Sequence, residues 1–227
     1  MAFRAWGFWV MAALVWAPSL GGQSARAKDL ATGKVLVASR QLRDPNFAGS
    51  VVLLVDYQEG GVVGLVLNRR TRIPISQALS IAEAKRRPDP VYIGGPVEEA
   101  TVMALARLGA DSAGAVHVLG DLYLISTKSL LAKTMASSLG PSALHVYCGY
   151  AGWTGPQLRH EVDIRGWFIF PGDAATVFDP DPGSLWSRLI EKTEAQVAMN
   201  LPGVRAATPA HRVTSTCVTA LSRPRKS

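Results

Sequence analysis

The hydrophobic pattern of this chain is clearest at residues 143–148. Leu144, Val146 and Cys148 fall on one face of the segment, and Ala143, His145 and Tyr147 fall on the other. Such alternation predicts a β-strand with one buried face. Gly149 and Gly152 interrupt the run and allow backbone angles that residues with a Cβ avoid. Thr154 then stands three residues before Gln157, which is the spacing of a helix N-cap. The stretch therefore predicts a strand, a glycine-rich turn and the start of a helix.

Apolar runs elsewhere predict most of the remaining strands. Residues 51–55 and 62–67 are apolar on both faces and are joined through Gly60-Gly61, which predicts a buried antiparallel hairpin. Further strands are expected at 33–38, 91–93, 101–108, 116–119, 122–125 and 167–170.

Helical spacing of apolar residues predicts several short helices between these strands. They are expected at 75–84 with Ser76 as the cap, at 127–137, from 154 onward, from the Asp173 cap to 178, and around an inner face of Leu185, Leu189 and Lys192. Strands and short helices in this mixture predict a single α+β domain, with a mixed, mainly antiparallel sheet packed against the helices.

The two ends of the chain differ from its centre. Arg4 precedes an apolar or small run at 5–17, and Ala25-Arg26-Ala27 matches the cleavage pattern of a secretory signal peptide. We therefore expect a signal peptide at 1–27, a folded domain at 28–201 and a basic, disordered tail at 202–227. The mature protein would be periplasmic or secreted, without a membrane span. The alternative is a mis-assigned start site in front of a cytoplasmic protein.

The formal net charge of +7 is unevenly distributed along the chain. Arg4 and Arg26 fall in the predicted signal peptide, and the tail holds five basic residues and no acidic ones. The residues from Lys28 to Leu201 include 17 basic and 17 acidic side chains, so this part of the chain has no net charge. DNA-binding domains present a basic face that neutralises phosphates, so a nucleic-acid partner is not expected for this domain. The arginines at 69, 70 and 72 are expected to lie in a solvated loop.

Four short motifs resemble those of the YqgE/AlgH family. They are Asp44-Pro-Asn-Phe47, Gly64-Leu-Val-Leu-Asn68, Gly94-Gly-Pro-Val97, and Cys148-Gly-Tyr-Ala-Gly-Trp153 followed by Gln157, Leu158 and Glu161. The resemblance runs from about Gly33 to about Leu189 and implies a bacterial protein whose family is labelled as transcriptional regulators without a known mechanism. The chain departs from the family pattern at Pro156, Arg159 and Arg70, where the family has glycine, glutamate and proline.

The motifs predict a shared cleft. Their glycines and aromatic residues fall at strand ends and loops, where binding residues are most often found. If these loops meet at one edge, aromatic walls and free backbone donors would suit a small ligand or a protein partner. The alternative is that the aromatic rings only cover the core. The predicted cleft residues are Asp44, Asn46, Phe47, Asn68, Gly94, Gly95, Pro96, Gly149, Tyr150, Gly152, Trp153, Gln157 and Glu161.

Few patterns point to catalysis. The chain lacks the G-x-S-x-G elbow of hydrolases, the glycine loops that hold nucleotides, and the histidine spacing of metal sites, so no cofactor or metal is expected. Cys148 is a weak candidate nucleophile beside a predicted helix start. Its alternation with Leu144 and Val146 favours a buried position instead. A Cys148–Cys217 disulfide and two free thiols both stay open.

These observations favour a non-enzymatic binding or accessory module in the cell envelope. The first alternative is a cytoplasmic transcriptional regulator, as the family label implies. The second is a thiol-dependent enzyme that uses Cys148.

Overall fold

The protein is described by a computed structural model that covers residues 26–109 and 113–200, with side chains described as far as residue 195. The predicted signal peptide, apart from its last two residues, lies outside the described residues. The predicted tail and Cys217 lie outside them as well, so the disulfide alternatives stay open.

The described part of the chain forms a curled sheet. Its strands are β1 Lys34–Ala38, β2 Val51–Gln58, β3 Gly61–Val66, β4 Arg70–Pro74, β5 Pro90–Ile93, β6 Val97–Arg107, β7 Val116–Leu119, β8 Leu122–Ile125, β9 Leu144–Trp153 and β10 Trp167–Pro171. The strand order is β10-β1-β2-β3-β9-β6-β8-β7, and β5 lies between β4 and β9. The β5–β9 pair is parallel and the other pairs are antiparallel.

Short helices cover this sheet, as the α+β prediction requires. They are α1 Ile75–Ala78, α2 Lys128–Met135, α3 Gly155–Asp163, α4 Ala174–Val177 and α5 Pro182–Asn200, with 3₁₀ turns at Ala27–Asp29 and Ala82–Arg86. The predicted fold class is therefore confirmed. No helix in the described ranges is both long and apolar enough to cross a bilayer.

The burial pattern shows how the sheet curls. One face carries a single apolar cluster to which eight strands contribute buried residues, with Leu53, Leu105 and Tyr147 fully buried in it. We call this the inner cluster; α4 and α5 add Val177 and Ile190 to it, and Phe178 joins it directly after α4. The opposite face is divided into one cluster beside α3 and another beside α1 and α2. A sheet that buries one face against itself and the other against helices needs apolar residues on both faces, which explains the unbroken apolar run of β2.

β9 differs from its prediction. The expected glycine-rich turn at 149–152 is the second half of the strand, because this half pairs with β3 from Gly64 to Val62. Gly149 has a φ of 70°, a conformation that glycine adopts without steric cost, so it bends the strand without ending it. The prediction of a turn here was wrong, since glycine in a strand also marks a bulge.

The alternation in the first half of β9 is confirmed. Val146 and Cys148 face the cluster beside α2, whereas Tyr147 faces the inner cluster. The caps at Thr154 and Asp173 are also confirmed, since each side chain accepts a hydrogen bond from a backbone N–H three residues later.

Three other local predictions need correction. The helix at 75–84 is split into α1 and a 3₁₀ turn, because extended residues between them let Leu79 and Ala84 reach the same cluster. Pro74, not Ser76, stands at the N-cap of α1. The arginine-rich segment is strand β4, held by a 2.7 Å hydrogen bond from Thr71 Oγ1 to the Val91 carbonyl. In α5, Leu185 is buried and Leu189 packs against the inner cluster, as expected, whereas Lys192 is exposed and Ile190 and Thr193 are buried in its place.

Candidate functional site

The predicted aromatic residues form a closely packed cluster. Phe47 stacks on Trp153 with ring centroids 5.0 Å apart, and both rings contact Trp167 edge-on. All three side chains are buried in the core beside α3. Phe47 reaches this position from a tight turn in which Asp44 Oδ1 accepts a hydrogen bond from the Asn46 backbone N–H at 2.8 Å. These rings therefore fill the core beside α3.

Glu161 satisfies the polar atoms of this cluster. Its Oε2 accepts hydrogen bonds from Trp153 Nε1 at 3.2 Å and from Trp167 Nε1 at 2.8 Å. Its Oε1 accepts a third from Gln157 Nε2 at 3.2 Å. We refer to Phe47, Trp153, Trp167 and Glu161 as the aromatic cluster. Each indole N–H has an acceptor, so these groups are engaged within the protein.

Asn68, which follows β3, also uses its side chain for hydrogen bonds within the protein. Its Oδ1 accepts a hydrogen bond from the Val51 N–H and its Nδ2 donates to the Gly49 carbonyl, both at 2.9 Å. The side chain thus replaces a missing strand partner and fixes the chain where it enters β2.

The predicted glycines bring two backbone segments together. The Gly94 N–H donates to the Cys148 carbonyl, and the Gly94 carbonyl accepts from the Val66 N–H, both at 2.8 Å. A Cβ on Gly94 would collide with the Gly149 carbonyl, and one on Gly95 would collide with the backbone of Tyr150. Pro96 is exposed, and Gly152 has room for a Cβ. The close approach explains why glycine stands at 94 and 95.

The structure thus brings most of the predicted residues together in two neighbouring packed arrangements. Phe47, Trp153, Gln157 and Glu161 meet beside α3, with Asp44 and Asn46 in the exposed turn that carries Phe47, whereas Gly94, Gly95, Gly149 and Tyr150 meet where β5 ends beside β9. Asn68 is the one predicted residue that also lines a groove described below. Ligand binding by the predicted set stays a prediction.

A groove lies where β4, β5 and the start of β9 meet the segment before α5. Its inner half has a volume of about 280 Å³ and its outer half about 480 Å³, and Arg70, Pro90 and Pro180 line both halves. The inner volume is just below the range of about 300–1,000 Å³ that ligand pockets usually occupy, and the outer volume lies within it. We call this feature the groove.

Three aromatic rings form the floor of the inner half. Tyr92 stacks on His145 with centroids 4.4 Å apart, and Phe178 meets the His145 ring edge-on at 4.9 Å. The parallel pairing of β5 with β9 places Tyr92 beside this part of β9. The rings are at least nine-tenths buried, and they give the inner half an apolar base.

His145 is held neutral in this position. Burial lowers its pKa to about 4, a hydrogen bond with the Pro141 carbonyl opposes the shift, and the positive charge of Arg70 adds to it. Its Nε2 lies 3.3 Å from the Tyr92 hydroxyl, whereas its Nδ1 makes no hydrogen bond of standard geometry with a described residue. The nearby hydroxyl of Tyr147 is also buried without a partner among the described residues.

The acidic residues of the inner half are already paired. Asp89 lies 3.2 Å from the guanidinium of Arg87, and Asp179 lies 2.8 Å from that of Arg188. Within the described ranges, Arg70 makes no salt bridge. The inner half therefore has one arginine whose charge is not used by the protein.

Cys148 lies outside this groove. Its side chain is partly buried against the cluster beside α2, and burial raises the pKa of its thiol. A raised pKa reduces the thiolate that a nucleophilic cysteine needs. His145 projects from the other face of β9, into the inner cluster, so the two side chains are not placed to exchange a proton.

Residues 35–198 match the AlgH-like family, which spans most of the described chain. The chain belongs to this family. A UPF0301 protein of Streptomyces avermitilis is 35% identical over 178 residues, covering 74% of this chain and 89% of the relative. A UPF0301 protein of Burkholderia vietnamiensis is 34% identical over 155 residues, covering 65% of this chain and 80% of the relative. The predicted family is therefore confirmed.

Two solved structures share the fold. The solution structure of AlgH from Pseudomonas aeruginosa superimposes with a TM-score of 0.59 at 27% identity, covering 77% of this chain and 95% of that one. A crystal structure of a Corynebacterium diphtheriae protein gives the same TM-score at 21% identity, covering 72% and 87%. The likeness extends over the domain and supports the architecture described above.

Most of the groove residues were not among the predicted site residues of this AlgH-like chain. His145 and Arg70 were noted only as a strand residue and as part of a basic cluster. The sequence did contain one signal for His145. This residue lies on the opposite face of its strand from Leu144 and Val146, so it is also buried when both faces of the sheet carry apolar residues. The pairing of β4 with β5, which brings Arg70 beside Tyr92, had no such signal in the sequence.

Proposed function

We propose that this protein is a non-enzymatic binding module of the cell envelope, with the groove as its ligand site. The observation that carries the proposal is the inner half of the groove, where the rings of Tyr92, His145 and Phe178 lie beside Arg70, which makes no salt bridge with a described residue. Ligand pockets typically combine an apolar and aromatic lining with a few polar groups that fix the orientation of the ligand.

The chemistry of the groove supports binding more than catalysis. A general base works best when its pKa is near the operating pH, and a histidine with a pKa of about 4 is a weak base at neutral pH. The residues that line the inner half include no cysteine. Apart from Tyr92, the lining residue with a hydroxyl group is Ser142, which is exposed. These groups can hold a molecule but are poorly suited to attack one.

The proposed location rests on the signal-peptide pattern of residues 1–27. N-terminal sequencing of the protein from fractionated cells is expected to find Lys28 as the first residue, in the periplasmic or secreted fraction. An intact N-terminus in the cytosol would overturn the envelope location. If the protein from the cytosolic fraction bound duplex DNA with an affinity that falls as the salt concentration rises, the alternative of a transcriptional regulator would be favoured.

The binding site can be tested with a chemically diverse set of neutral and charged fragments, observed by two-dimensional amide NMR of the purified protein. Binding is expected to shift the signals of Tyr92, His145 and Phe178 together. Ser142→Phe, at the groove, should remove these shifts, whereas the control Ser138→Phe, at an exposed position outside it, should not. If no fragment shifts the groove signals, the proposed site is wrong.

A further inference from the structure

We infer that the groove selects a small aromatic carboxylate, with its ring in the inner half and its charged group on Arg70. This inference rests on the proposed ligand site and adds the class of ligand. It also assigns Arg70 as the residue that determines specificity.

The first argument is the charge of the groove. In the inner half, the carboxylates of Asp89 and Asp179 are each paired with their own arginine, so they present little net charge to a ligand. The Asp181 carboxylate lines only the outer half, as Arg72 does. Arg70 has no acidic partner among the described residues, is exposed, and lines both halves of the groove. An arginine with free donors at the mouth of a pocket is suited to bind a carboxylate through two parallel hydrogen bonds.

The second argument is the position of Arg70 relative to the aromatic rings of the floor. Arg70 pairs across the strands with Tyr92, which is one of the rings on the floor. Arg70, Tyr92 and His145 also line the same inner half of the groove. A ligand that rests on the floor therefore lies within reach of Arg70.

The third argument is the shape and chemistry of the floor. Tyr92, His145 and Phe178 present three rings, and aromatic ligands gain from stacked or edge-on contacts with such rings. The imidazole is uncharged at neutral pH, so the floor does not compete with Arg70 for the anion. The inner volume of about 280 Å³ suits a single ring with one substituent.

A carboxylate fits better than a phosphate ester. One guanidinium can balance the single charge of a carboxylate through a paired, planar contact. A phosphate monoester carries nearly two charges at neutral pH, and the other arginine of the groove, Arg72, lines only the outer half. Phenyl phosphate therefore serves as a competing probe.

The test compares benzoate, its neutral analogue benzamide and phenyl phosphate, each titrated into the purified full chain and followed by amide NMR. We expect benzoate to shift the signals of Tyr92, His145 and Phe178 and to bind at least about fivefold more tightly than benzamide. Phenyl phosphate is expected to bind more weakly than benzoate. Raising the salt concentration should weaken benzoate binding and leave benzamide binding unchanged.

Arg70→Gln should reduce benzoate affinity about fivefold and leave benzamide affinity unchanged. Arg69→Gln is the matched control, because it removes the same charge from the neighbouring residue, which lines neither half of the groove. Its benzoate affinity should equal that of the unaltered protein. Unaltered signals elsewhere in the spectrum will show that both variants are folded.

Four results would overturn the inference. Equal affinities for benzoate and benzamide, or equal effects of the two arginine variants, would remove the assigned ligand class while leaving the groove as a binding site. Tighter binding of phenyl phosphate would replace a carboxylate with a phosphate. No groove shifts with any of the three probes would also reject the inference, and the fragment set would then decide separately whether the groove binds ligands.

Discussion

Around Glu161, the indole N–H groups of Trp153 and Trp167 both donate to a carboxylate oxygen, whereas beside His145 the buried hydroxyl of Tyr147 has no hydrogen-bond partner among the described residues. Both regions combine aromatic rings with polar groups. The aromatic cluster fills the space between the sheet and α3, while the groove leaves a volume of about 280 Å³ above its rings. The comparison separates residues that complete the fold from residues that remain available to a ligand.

The difference also shows what the most recognisable motifs do in the fold. Glycines at 94 and 95 and aromatic residues at 47 and 153 satisfy strict packing demands, and such demands produce distinctive sequence patterns. A groove needs only a few residues from distant segments, so it has no comparable pattern in the sequence. Ligand binding by the motif residues stays a prediction.

The largest expected effect contrasts one residue from each region. Trp153→Ala removes a buried ring that stacks on Phe47, and it should lower the free energy of unfolding by about 4 kcal/mol. Arg70→Gln changes an exposed side chain without a salt bridge to a described residue, and it should change the same quantity by less than about 0.5 kcal/mol. Urea unfolding monitored by circular dichroism measures both. Similar losses in the two variants would remove the distinction between the regions.

The next effect tests the hydrogen bonds of the aromatic cluster. Glu161→Ala leaves the indole N–H groups of Trp153 and Trp167 without their acceptor, so it should cost about 3 kcal/mol of unfolding free energy. Glu161→Gln keeps one acceptor oxygen in place and should cost about 1 kcal/mol. The same urea experiment gives both values. If alanine and glutamine cost the same, the carboxylate does not serve as the acceptor that holds the cluster together.

The third effect concerns pH and the groove. Burial lowers the pKa of His145 in the folded state to about 4, below the usual 6.5 of an unfolded histidine. As the pH falls, the unfolded chain therefore binds the proton before the folded protein does. The free energy of unfolding keeps its full value, as far as this group is concerned, above about pH 6.5, and it decreases as the pH falls toward 4. Between about pH 7.5 and about pH 5 the loss should be about 2 kcal/mol.

His145→Gln is the control for this pH dependence, because it removes the titrating ring and leaves the other ionisable groups unchanged. Urea unfolding at each pH should give a shallower slope for the variant, with the difference close to the expected loss. Parallel slopes for the two proteins would show that His145 is not held neutral by burial.

The smallest expected effect concerns Cys148, whose thiol pKa is raised by burial. In a Cys217→Ser background, iodoacetamide at mildly alkaline pH should modify Cys148 about tenfold more slowly in the folded protein than in urea. Mass spectrometry of timed samples measures the two rates. A folded-state rate equal to or above the rate in urea would restore the thiol-enzyme alternative.

Much of the fold could be predicted from local patterns. Alternation assigned the faces of Val146 and Tyr147, and apolar runs with turn residues placed both hairpins. The arginine-rich β4 was missed, because a strand with polar side chains has no hydrophobic period and forms only through its pairing with β5. The single helix expected at 75–84 failed for a similar reason, since two short turns bury Leu79 and Ala84 better than one continuous helix.

The sequence by itself determined the family, the fold class, the caps of α3 and α4 and the balanced charge of the domain, because these depend on neighbouring residues and on composition. Only the tertiary structure decided that Glu161 joins two indoles and that Arg70, Tyr92 and His145 line one groove. The physical reason is sheet topology. The pairing of β4 with β5, and of β5 with β9, unites segments about 20 and 50 residues apart, and no local pattern specifies such pairings.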